Sequence, residues 1–97
     1  MSQKYENTRY FVFRVLDRVG SASSRQIIGM MIASGAGYYA PTTICLAGKM
    51  RTWGYLLDRR GRVSSWYIGP KVKTPERRPR GLASFEEWLD LNHPLNN

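Results

Sequence analysis

TWGYLLDRRGRVSSWYIGP, residues 52–70, decides how the rest of the chain is read. Gly54 interrupts a helical stretch, and the period changes after it: residues 55–58 and 63–68 have the β-branched and aromatic content of strands. Between them Arg59, Arg60, Gly61 and Arg62 predict a turn, hence a β-hairpin with cations at its tip, and Gly61 suits a turn position of positive φ. Strand alternation puts Trp66 and Ile68 on one side and Ser65 and Tyr67 on the other, so one face of the hairpin is free to pack on what precedes it.

What precedes it reads as three helices. In TRYFVFRVLDRV, residues 8–19, the residues Phe11, Val12, Val15, Leu16 and Val19 form a helical stripe, with Arg14, Asp17 and Arg18 opposite. Gly20 then suits the left-handed position that closes such a helix. Ser23 and Gln26 have the spacing of a capping box, which predicts a second helix over 24–33 burying Ile27, Ile28, Met31 and Ile32. SGAGYYAP, residues 34–41, has loop composition, and Pro41 suits the first turn of a third helix running from Thr42 to Trp53. Leu46, Ala47, Met50 and Trp53 give that helix its buried stripe. The opposite face carries Thr42, Cys45, Lys49 and Thr52, with Gly48 beside them.

Downstream of Gly69, PKVKTPERRPRG holds three of the five prolines among lysines and arginines, too little apolar content to pack, and predicts an extended basic arm. Ser84 and Glu87 form another capping box ahead of Phe85, Trp88, Leu89 and Leu91, predicting an acidic amphipathic helix over 84–91. That helix either docks on the body or serves as a detachable partner-binding segment. The organisation expected is a tail at 1–7, a body at 8–69, an arm at 70–83, a helix at 84–91 and a tail at 92–97.

Charge is concentrated rather than spread. The chain of 97 residues carries a net charge of +8, apportioned as +3 over residues 1–48, +8 over 49–80 and −3 over 81–97. A basic footprint confined to one stretch is the electrostatic signature of a polyanion-binding surface. The size corresponds to one domain burying roughly 10,000 Å² on folding, enough for a core without staples. The single cysteine, Cys45, excludes an internal disulfide and a multi-cysteine zinc site, and fits a reducing, cytoplasmic setting. No apolar run reaches the length of a membrane span, so no membrane partner is expected. The one histidine, His93, lies near the end beside Pro94. No paired carboxylates, metal-ligand spacing or phosphate-cradling loop accompany it, so neither an enzyme nor a cofactor is expected.

Helix, helix, helix, hairpin is the order of a winged helix-turn-helix domain, which residues 8–69 resemble. The resemblance is carried by Ser23-Ser24-Arg25-Gln26, by Pro41-Thr42-Thr43-Ile44-Cys45-Leu46-Ala47-Gly48-Lys49-Met50, and by Trp53-Gly54-Tyr55-Leu56 leading into the wing. It implies an α+β fold, a three-helix core plus a β-hairpin wing, here followed by a short C-terminal helix. It also implies that the third helix enters the major groove of double-stranded DNA while the hairpin lies over the adjacent backbone or minor groove. The connection at 34–41 is longer than the tight turn usual in that superfamily.

The chemistry of the side chains supports the same partner. Thr42, Cys45, Lys49 and Thr52 are placed to read base edges, with Thr43 and Arg25 near a phosphate. Arg59, Arg60 and Arg62 are the wing cations, and Lys71, Lys73, Arg77, Arg78 and Arg80 form a basic arm able to follow the duplex. The expected function is a small sequence-specific DNA-binding regulator of the compact kind carried by phages and mobile elements. Homodimerisation is open, with residues 84–91 the one segment suited to it. The alternative is a protein-binding adaptor or inhibitor that grips a host protein, such as a nucleic-acid enzyme, through Tyr38, Tyr39, Phe85, Trp88 and Leu89.

Overall fold

A computed structural model describes residues 3–75 and 82–92. The expected α+β class forms. Among the described residues, four α-helices and a three-stranded antiparallel sheet follow the order α1 (Gln3–Val19), β1 (Ser21–Ala22), α2 (Ser24–Ala33), α3 (Thr43–Thr52), β2 (Leu56–Asp58), β3 (Ser65–Tyr67) and α4 (Leu82–Asn92). A short 3₁₀ turn, Gly37–Tyr39, lies between α2 and α3.

Local chemistry sets the limits of α2 and α3. Ser23 caps α2: its Oγ accepts the Gln26 N–H at 3.1 Å, while Gln26 Oε1 accepts the Ser23 N–H at 2.9 Å, so two orphan donors are satisfied reciprocally. Thr42 caps α3 by accepting the Cys45 N–H at 3.3 Å. Pro41 therefore stands one residue before the cap, outside the helix whose first turn it was expected to occupy. At the other end Gly54, at φ 96°, lets the Tyr55 N–H reach Met50 O at 3.0 Å and its own N–H reach Arg51 O at 3.1 Å. This double closure satisfies the last carbonyls of α3 and turns the chain into β2.

The sheet runs in the order β1-β3-β2, with Ala22 opposite Trp66 and Leu57 opposite Trp66 on its other side. Trp66 points inward as alternation requires, and its Nε1–H donates to Ser24 Oγ at 2.9 Å, tying the hairpin to the start of α2. The hairpin turn differs from expectation. Gly61 is not among the described glycines of positive φ, which are Gly20, Gly35 and Gly54. The turn is instead organised by Asp58, whose carboxylate accepts the Arg60 backbone N–H at 2.9 Å and the Arg60 guanidinium at 2.9 Å.

The hairpin base is a close crossing of backbones. A Cβ at Gly69 would lie 2.8 Å from Gly54 O and 2.9 Å from Leu56 Cγ, and one at Gly54 would lie 3.1 Å from Lys71 Cβ. The chain leaving β3 therefore lies directly on the joint between α3 and β2. Val72 N–H donates to Gly69 O at 3.2 Å and its side chain packs against the core. The first part of the expected free arm is thus held to the body.

Other elements differ in extent. α1 begins at Gln3, so residues 3–7 are helical rather than tail. Tertiary contacts favour the extension: Thr8 Oγ1 donates to Tyr39 O at 2.6 Å, and the Lys49 ammonium sits 4.5 Å from the Tyr5 ring centroid. In α2 the buried residues are Ile27, Met30 and Met31; Ile28 is half-buried and Ile32 is 61% exposed, so the stripe is rotated by about one position from that expected. The unbroken apolar run Met30-Met31-Ile32 leaves the phase of the helix undetermined without its partners.

α4 docks on the body. It starts at Leu82, so Ser84 lies inside it and is not the cap. Phe85 and Leu89 are fully buried against α1, with the Phe85 ring edge-on to Phe11 at 4.7 Å. Arg14 Nε lies 2.9 Å from Glu86 Oε1, and Arg18 pairs with Asp90 one turn further along. The polar face assigned to α1 is therefore partly a docking face. Tyr39 stacks on Phe11 from the other side at 5.6 Å, which draws the 34–41 loop into the same core.

Candidate nucleic-acid interface

The placement of α3 follows from its apolar spacing. Leu46 and Met50 are fully buried, and Trp53 at the C-cap is half-buried against the core. At 100° per residue the outward edge is then Ile44, Cys45, Gly48 and Thr52, all exposed. Ile44 is 84% exposed, an apolar residue on the solvent edge of a helix that already has a complete buried stripe.

On one flank of that edge a cleft of about 750 Å³ separates α3 from the start of α2 and the hairpin. Arg25, Gln26, Thr43, Arg51, Ser64 and Trp66 line it. Arg51 lies 6.0 Å from the Trp66 ring centroid, so the indole that holds the hairpin against α2 also faces a cation. On the other flank a second cleft of about 400 Å³ is lined by Lys49, Thr52, Lys71 and Lys73, together with Tyr5, Arg9 and Trp53.

The expected site residues are distributed accordingly. Arg25 and Thr43 meet in the first cleft, and Lys49, Thr52, Lys71 and Lys73 in the second. Thr42 and Cys45 are exposed at the start of α3, with the Thr42 hydroxyl engaged as the cap. Cys45 is a free thiol on that surface. Thr52 Oγ1 donates to Gly48 O at 3.1 Å, leaving its lone pairs to accept. Arg59, Arg60 and Arg62 are exposed on the hairpin tip, but Arg60 is ion-paired with Asp58, whose carboxyl its hydrogen bonds hold down to about 2. Arg77, Arg78 and Arg80 lie outside the described residues.

The residues proposed for protein binding fare differently. Phe85 and Leu89 are core residues, Trp88 packs partly against the core, and Tyr39 is stacked on Phe11. Tyr38 alone of the five is openly on the surface, at 75% exposure.

Three residues of the surface were not expected. Ile44 was legible: it stands opposite Leu46 and Met50 on a helical wheel. Arg51 was legible in part, since it continues the Thr43 and Ala47 edge at four-residue steps. Arg9 carried no local signal, because α1 reaches α3 only through the tertiary fold.

Among the described residues no group of three His, Cys, Asp or Glu side chains is placed to hold a metal ion. None of the described helices is long and apolar enough to cross a membrane. Comparison with family models, curated proteins and solved structures finds no match to this chain.

Proposed function

We propose that this chain is a small sequence-specific double-stranded-DNA-binding protein built as a winged helix-turn-helix domain, with α3 as the helix that enters the major groove and the β2–β3 hairpin as the wing. The order α1-β1-α2-α3-β2-β3, with β3 between β1 and β2, supports the architecture. One observation carries the function: the outward edge of α3 is uncovered, and the cleft beside it brings Arg25 and Arg51 onto the hairpin side of that edge.

The chemistry fits base reading flanked by phosphate contacts. An α-helix is 10–12 Å across with its side chains, roughly the width of the major groove. Ile44 and the Thr42 methyl offer apolar contact to thymine methyl groups, while Cys45 and Thr52 offer short polar groups. Arg25 and Arg51 sit where a phosphate backbone would pass, and Arg59 and Arg62 extend the contact along it. Gly48 presents no side chain at the middle of the edge, and nothing lies within 4 Å of the position its Cβ would take.

Selection of bound duplexes from a random pool, followed by fluorescence anisotropy on the enriched sequence, tests the reading. Six phosphate contacts correspond to a loss of affinity of about a thousandfold between 50 and 200 mM salt. Enrichment of a palindrome would indicate a dimer, since operator symmetry follows protein symmetry. Absence of binding at low salt, or binding indifferent to salt and sequence, refutes it.

A further inference from the structure

We infer that the second cleft, between the start of α1, the end of α3 and residues 71–73, binds the phosphodiester backbone of the DNA strand on the side of α3 away from the hairpin. This rests on the duplex-binding reading above and adds to it a second strand contact through Arg9, Lys49, Lys71 and Lys73. It makes α3 a ridge gripped from both flanks.

The electrostatics of the cleft are one-sided. Four cations line it against the single carboxylate of Glu6. None of the four is ion-paired with a carboxylate among the described residues, whereas Arg14, Arg18 and Arg60 all are. Two are held by aromatic rings instead: the Arg9 guanidinium carbon is 5.8 Å from the Trp53 centroid and the Lys49 ammonium 4.5 Å from that of Tyr5. A ring orients a cation without neutralising it, so the charge stays available to an anion.

The cleft is also built rather than incidental. Lys71 cannot drift from it, because its backbone is packed on Gly54 at the end of α3. Val72 anchors the same segment in the core, which leaves Lys71 and Lys73 exposed on either side of it. Because Tyr5 and Trp53 are engaged with cations at this cleft, its offer is positive charge rather than a stacking platform for a base. With a helix that fills the major groove, the two flanks of α3 face the two strands. Arg25 and Arg51 then meet one backbone and the second cleft meets the other.

The test is the double variant Lys71→Gln/Lys73→Gln, both positions being exposed, compared with the parent by anisotropy on a labelled duplex from 50 to 200 mM salt. An unchanged melting temperature establishes that the variant is folded. Removing two phosphate contacts makes the slope of log K against log salt shallower by about 1.8, and weakens all duplexes alike. A parent that binds while the variant keeps the parent slope overturns the second-strand contact alone. A parent that binds no duplex overturns the duplex-binding reading and this assignment with it. A separate titration with inorganic phosphate at constant ionic strength follows the Trp53 indole N–H resonance. If millimolar phosphate reproduces the shift that duplex causes, and the variant abolishes it, the occupant is a free small anion and the strand assignment is overturned.

Discussion

Truncation of Phe85 to alanine measures how far α4 belongs to the folded body. Phe85 is fully buried, edge-on to Phe11 at 4.7 Å; Phe11 is in turn stacked on Tyr39 and Tyr39 is edge-on to Tyr38, so the side chain closes one end of a four-ring row. Core Phe→Ala substitutions cost about 3–5 kcal/mol in lost transfer energy and cavity. The Arg14–Glu86 and Arg18–Asp90 pairs that flank it are solvent-accessible, and each contributes about 0–1 kcal/mol. They cannot hold α4 once Phe85 is gone, and an eleven-residue helix is unstable alone. An unfolding entropy of about 2.1 cal/mol/K per residue gives roughly 0.2 kcal/mol/K for a chain of this size. The melting temperature by far-UV circular dichroism is therefore expected to fall by about 15–25 °C. Leu91→Ala, at a position 78% exposed, is the control and is expected to shift it by less than about 3 °C. A Phe85→Ala variant melting within about 5 °C of the parent would refute the placement of α4 in the core, and would return Phe85 and Leu89 to the candidates for binding a partner.

Gly29 and Gly48 are both mid-helix, exposed and without atoms within 4 Å of an added Cβ, so Gly29→Ala and Gly48→Ala are each expected to stabilise the fold by about 1 kcal/mol in denaturant titrations. On duplex DNA they should part: Gly48→Ala is expected to weaken binding about tenfold, from one overpacked methyl at about 1–3 kcal/mol, and equal binding by both variants would argue against close approach of α3. At the hairpin, hydrogen bonds from the Arg60 side chain and then its backbone lower the Asp58 carboxyl from 3.8 to about 2. Because the folded value lies below the unfolded one, the turn is favoured above pH about 4 and loses that preference as pH falls through about 2. An NMR titration should find the Asp58 midpoint near 2 and Arg60→Gln should raise it toward 3.8, whereas a parent midpoint near 4 would dissolve the pair.

The parts of the fold legible in the sequence are those fixed by neighbours in the chain. Ser23, Gly20 and Gly54 act within a few residues of themselves, through a cap and left-handed closures, and the helix ends they set lie where their spacing puts them, whereas the Thr42 cap was hidden behind Pro41. Elements fixed by distant partners were not legible. β1 is two residues, Ser21 and Ala22, with no strand composition; it exists because β3 lies beside it. The first turn of α1 looks like tail until Lys49 reaches Tyr5. The hairpin turn is the local exception, where Asp58 displaced the glycine that composition favoured. The run Met30-Met31-Ile32 of α2 could not declare which side faced inward. The candidate site divides in the same way. The outward edge of α3 follows from its period, but the clefts beside it draw on α1, α2, the hairpin and residues 71–73, which only folding brings together.

The backbone crossing at the hairpin base has a consequence for descent. Gly54 and Gly69 meet where two stretches of chain cross within contact of one another, and neither has room for a side chain without moving backbone or Leu56. The tip between the strands has no such restriction: residues 59–63 are exposed, and the turn is organised by Asp58 rather than by a required glycine. Divergence should therefore run fastest at the tip, where insertions and charge changes cost little, and slowest at the paired glycines beneath it. Distant kin of this chain would be recognised less by overall likeness than by two glycines bracketing a hairpin of varying length, the first closing a helix and the second admitting the chain's return.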